Sequence, residues 1–187
     1  MRPYALALVT LVAACGPETT SFRPTDRIDS TDRAGPAAAA YDVRISGELA
    51  AHVHAWSTGG YMGTSDEPMT HVALEIANPR RGPVVFDGDD VSLAVFDAKG
   101  APLPATRLVT VAPLGPAKVA IAPGTTKQLD LYFMLPVRPR VVDSMRAKWT
   151  LIADGVGSTQ TTSFVRDDSG PVDPPPERPP AASAPAM

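Results

Sequence analysis

KQLDLYFMLP, residues 127–136, alternates with a period of two. Leu129, Leu131, Phe133 and Leu135 share one face, and Asp130 and Tyr132 share the other. Successive side chains of a strand point to opposite sides, so this segment reads as a strand with one core face and one outer face. Pro136 closes it, because proline cannot donate to a ladder. The same period recurs on both sides. THVALEIAN (70–78) turns Val72, Leu74 and Ile76 inward. DVSLAVFDAKG (90–100) turns Val91, Leu93 and Val95 inward and ends in a turn at Asp97-Ala98-Lys99-Gly100. A weaker strand is expected near Ala105 to Val111, and Val119-Ala120-Ile121 leads into a turn at Pro123-Gly124. Residues 41–56 read as one strand, with Val43, Ile45, Leu49, Ala51, Val53 and Ala55 on the core side and Gly47 as a bulge. AKWTLIAD and TTSFVRD flank GVGS as a hairpin. Seven or eight short strands in about 125 residues, with almost no helical periodicity, predict an all-β fold. The expected form is an immunoglobulin-like antiparallel β-sandwich over residues 41–166, with a small barrel as the alternative.

Outside that block the composition changes. The chain opens MRPYALALVTLVAACG: one cation, then an apolar run too short to span a bilayer, then small residues before Cys15. Residues 1–14 are therefore expected to be a signal peptide. Val12-Ala13-Ala14-Cys15 resembles the bacterial lipobox. That resemblance implies lipid on the Cys15 thiol, cleavage before it, and a membrane anchor of several acyl chains. Gly16 follows in place of the aspartate that retains some lipoproteins at an inner membrane. The resemblance thus points to the bacterial cell envelope, at an outer membrane facing the periplasm. Residues 15–40 read as the lipidated cysteine and a disordered tether, roughly 30 Å long on average. Residues 167–187 read as a proline-rich acidic tail. Cys15 is the only cysteine, so the sandwich is expected to stand without a disulfide.

The folded block also resembles a broad group of exported bacterial immunoglobulin-like domains of unknown function, many of them lipoproteins. The matching positions are Asn78 at a strand end, Asp97 and Gly100 in a turn, Pro123 and Gly124, then Phe133, Leu135 and Pro136. The resemblance spans about residues 70–166 and implies a fold, not an activity.

The chain carries a net charge of −3, and Lys plus Arg balance Asp plus Glu at twelve each over residues 41–166. With no basic run, nucleic acid is not an expected partner. No G-x-S-x-G elbow or phosphate loop is present, and the only thiol is the lipid site, so an enzyme is not expected. Asp87-Gly88-Asp89-Asp90 lacks the spacing of a calcium loop and reads as a strand connection. Specific chemistry has one candidate location. HVHAWSTGGYMGTSDEPMTH (52–71) holds all three histidines, His52, His54 and His71, with Met62 and Met69. Imidazole and thioether ligands suit copper, Cu(I) in particular. An antiparallel register with His54 opposite His71 and Trp56 opposite Met69 would gather them under a loop with Met62 at its tip. The period of two places all three imidazoles away from the core, which argues against a buried structural role. The expected function is non-enzymatic: binding or support of an envelope protein partner. Copper binding through this stretch is the alternative, and no other cofactor is implied.

Overall fold

In the computed structural model, residues 19–28, 36–112 and 118–168 are described. Cys15, the signal peptide and the tail beyond residue 168 lie outside them, as do residues 16–18 and 29–35 of the tether. Eleven strands are present among the described residues: β1 (Ser21–Pro24), β2 (Ala39–Ile45), β3 (Glu48–Met62), β4 (Pro68–Ala77), β5 (Val84–Asp87), β6 (Ser92–Phe96), β7 (Arg107–Ala112), β8 (Lys118–Ile121), β9 (Thr126–Met134), β10 (Ser144–Ala153) and β11 (Val156–Asp167). They form two antiparallel sheets. The five-stranded sheet runs β2-β3-β4-β9-β7; the six-stranded sheet runs β1-β11-β10-β5-β8, with β6 also pairing β10. The sandwich expected from the sequence is thus the fold, with more strands than alternation alone revealed.

The core lies between the sheets. Leu74, Ile76, Leu129, Leu131 and Phe133 meet Phe86, Trp149, Leu151 and Phe164, all essentially without solvent contact. Trp149 packs edge-on to Tyr41, with ring centroids 5.4 Å apart. Its indole N–H donates to Thr162 Oγ1 at 3.1 Å, so the one polar atom of this large side chain is satisfied in the interior. Asn78 is buried as well. Its amide donates to the carbonyls of Gly82 and Ile121 and its Oδ1 accepts from Arg80 N–H, which fixes the corner where the chain leaves β4.

Three expectations change. The single strand over 41–56 is two strands joined at Ser46-Gly47, whose φ values of 52° and 85° are those of a tight hairpin turn rather than a bulge. The segment 16–40 is not wholly a tether. Ser21–Pro24 pair with β11, Phe22 is buried, and Thr20 exchanges two backbone hydrogen bonds of 2.8 Å with Gly60 of β3. β1 therefore bridges the two sheets. Finally, the loop expected after Trp56 is strand: β3 continues to Met62 and the connection to β4 is only Gly63 to Glu67. The acidic run at Asp87 to Asp90 forms a short 3₁₀ turn capped by Asp87, with Asp90 held by Lys148 and Thr150.

Candidate functional site

The extension of β3 is possible because the strand absorbs one extra residue. Pairing with β4 shifts between Ser57 and Gly59, leaving Thr58 as the bulged residue. Gly59 takes φ = 110°, a conformation open to glycine and strained for other residues. Hydroxyls replace the ladder bonds disturbed there. Ser57 Oγ donates to the His71 carbonyl at 2.7 Å and accepts from Gly59 N–H, while Thr70 Oγ1 donates to the Gly59 carbonyl at 2.9 Å. A run that looks like a flexible loop in composition is thereby held as strand.

The bulge sets the register, and the register sets the site. His54 stands opposite Glu75, Trp56 opposite Ala73, Gly59 opposite His71 and Tyr61 opposite Met69. The expected pairings of His54 with His71 and of Trp56 with Met69 do not occur. His71 lies four residues along β4 from the partner of His54, which is roughly 13 Å at strand rise. Each imidazole instead meets a carboxylate on a neighbouring strand. His52 Nδ1 lies 2.7 Å from Asp42, His54 Nδ1 lies 3.3 Å from Glu75, and His71 Nε2 lies 3.0 Å from Asp130. Among the described residues, no three His, Cys, Asp or Glu side chains converge as a metal-binding group. Met69 shares the outer face with His71, two residues away; Met62 pairs with Pro68 at the end of the hairpin.

His71 overturns the expectation that an outward histidine is an exposed one. Its side chain is 1% exposed. β4 is the central strand of its sheet, so taller neighbours close over it. The Tyr132 ring lies on the imidazole with centroids 4.8 Å apart, and Thr58 Oγ1 is 2.8 Å from Nδ1. When Nε2–H donates to Asp130, Nδ1 accepts from the Thr58 hydroxyl. Burial raises the Asp130 carboxyl, but hydrogen bonds from His71 and Gln128, with the attraction of His71, outweigh it and hold the group below the ordinary carboxylate range. Hydroxyl, imidazole and carboxylate are the groups that activate nucleophiles in hydrolases. Here the imidazole is sealed, and the chain of bonds ties β3, β4 and β9 across the sheet.

Thr58, Asp130 and Tyr132 were not candidates from sequence. Alternation marks Asp130 and Tyr132 as outward, but Asp130 meets His71 from 59 residues away, and both contacts depend on β9 lying beside β4. Around this tie the outer face carries half-buried Trp56, Tyr61, Met69, Tyr132 and Met134. At one end of the sandwich, Met62, Asp66, Pro68, Pro136, Val137 and Arg138 line a groove of about 490 Å³.

No protein-family model matches the chain, and no curated protein matches it in sequence. Among solved structures it is similar to the crystal structure of a FixG-related protein from Vibrio parahaemolyticus, at 10% identity, over 62% of this chain and 94% of that one, with a TM-score of 0.39.

Proposed function

We propose that this protein is a lipid-anchored component of a bacterial cell envelope that binds another envelope protein through the outer face of its five-stranded sheet. Cys15 carries the lipid in this reading. The observation that supports it is the make-up of that face. Trp56, Tyr61 and Tyr132 stand with Met69 and Met134 on one side of a sheet cross-tied by His–carboxylate pairs. Aromatic residues and methionine are enriched in interface cores, and a stiff platform loses little freedom when a partner docks. Two experiments test the reading. Cys15→Ser should move the protein from the membrane fraction to the soluble one; unchanged membrane retention defeats the anchor. A photo-crosslinking residue placed at Trp56 should form an adduct with an envelope protein in cells, and one at Thr161, on the other sheet, should not. Equal adducts from both positions defeat the choice of face.

A second reading, copper binding, draws on a narrower observation. His52 and His54 lie two apart on one face, and each has its Nδ1 on a carboxylate, the outer-shell pattern that orients metal-ligating histidines. In that reading the ligands are His52 and His54, without His71. Copper titration should then respond to His52→Ala plus His54→Ala and be indifferent to His71→Ala; a response to His71→Ala alone refutes it.

A further inference from the structure

We infer that the grooved end of the sandwich, formed by the β3–β4 hairpin tip and residues 136–141, rests on the phospholipid surface that holds Cys15. This inference builds on the lipid anchor proposed above. It follows from chain length and from the point where the chain becomes fixed. Thr20 is buried and doubly hydrogen-bonded to Gly60, and β1 starts at the next residue. Only five residue steps separate Cys15 from Thr20. Fully extended, they reach at most about 18 Å, against the roughly 30 Å average expected of a 25-residue coil. The domain therefore cannot drift far from the bilayer. β11 runs about 35 Å from Val156 at the far end to Asp167 beside Ser21, so a tether this short favours contact by one end.

The end that holds Thr20 suits contact with headgroups. Gly60 is two residues from Met62, which lines the groove with Pro68, Pro136 and Val137. The 3₁₀ turn Pro139–Val141 lies against the same point: a Cβ on Gly60 would stand 2.9 Å from Pro139 Cβ. That turn presents Val141 at 44% exposure; Val156 at the far end is 48% exposed, so the short tether, and not apolar exposure, selects the end. Arg166 holds the turn by donating to the carbonyls of Arg140 and Val142. The charges at this end are mixed: Asp66 and Arg138 line the groove together, Arg140 sits in the 3₁₀ turn and Glu67 in the β3–β4 connection. Mixed charge beside exposed Val141 and half-buried Pro68 and Pro136 fits zwitterionic headgroups and not a strongly anionic surface.

The test uses the full lipidated protein in vesicles of phosphatidylethanolamine and phosphatidylcholine that carry a headgroup nitroxide quencher. Single cysteines are introduced as Val141→Cys or Thr64→Cys at the grooved end and Val156→Cys at the far end, each labelled with a fluorophore. A lipidated Cys15 has no thiol to label. Quenching at Val141→Cys and Thr64→Cys should exceed that at Val156→Cys by about fivefold or more, since the far label stands about 35 Å further away. Thr64 provides a second reporter in case the valine site perturbs the turn. Vesicle flotation is scored separately. Flotation with equal quenching at both ends overturns the orientation alone, and failure to float overturns the anchor and the orientation with it.

Discussion

Replacing His71 by alanine should cost far more stability than replacing either of the other histidines. The substitution removes a sealed ring that contacts Thr58 at 2.8 Å, Asp130 at 3.0 Å and the Tyr132 face. A neutral hydrogen bond contributes about 0.5–1.5 kcal/mol and one to a charged group about 1.5–3 kcal/mol. Asp130 keeps 22% exposure, so water offsets some of the loss on that side, and the void opens toward the sheet surface, where side chains can collapse into it. The expected loss is about 3 kcal/mol, which for a domain of this size lowers the melting temperature by roughly 10 °C. His52→Ala is the control. Its pair with Asp42 is 48% and 68% exposed, and such pairs contribute about 0–1 kcal/mol. Urea titration and thermal melts of the purified protein, followed by far-UV circular dichroism and tryptophan fluorescence, measure both variants. Equal destabilisation, or a His71→Ala melt within about 2 °C of the wild type, would refute the assignment of His71 as the tie across β3, β4 and β9.

Asp130→Asn should destabilise the protein at pH 7 and change its acid response. The folded carboxyl lies below its ordinary value, so its stabilising contribution is present above about pH 4 and fades as pH falls through the folded pKa. The gap in urea midpoint between wild type and variant should therefore narrow toward pH 3, and a constant gap contradicts the linkage. Gly60→Ala places a methyl 2.9 Å from a proline ring carbon and should cost about 1–3 kcal/mol, read as a lower urea midpoint. Phe22→Ala empties a buried site on a short edge strand and should cost about 3 kcal/mol; no measurable change would return residues 21–24 to the status of linker.

The long strands were legible because each buries one face, and Leu129, Leu131 and Phe133 announce that by spacing alone. β1 was not legible. Four residues with one large apolar side chain give no period, and Arg23 and Pro24 look like linker composition. β3 was cut short because Gly59-Gly60 suggests a loop, whereas hydroxyls from Ser57 and Thr70 hold the bulge in the sheet. Asn78 was visible as a strand end, but its three hydrogen bonds at the corner reach backbone groups that sequence cannot place. The outward direction of His71 was read correctly and its burial was not. Direction is a property of one strand, and burial depends on the height of the side chains on the strands beside it.

The pairing of β1 with β11 also has a mechanical side. β1 leads from Thr20 into the body of the sandwich, so tension arriving through the residues before it acts along the strand axis. The pairs from Ser21–Asp167 to Pro24–Phe164 then carry load together, as in a lap joint pulled in shear, and do not open in succession like the teeth of a peeled zipper. The join to β11 is built to resist a steady tug along the chain, with Phe22 as the peg that must leave the core before the seam slips.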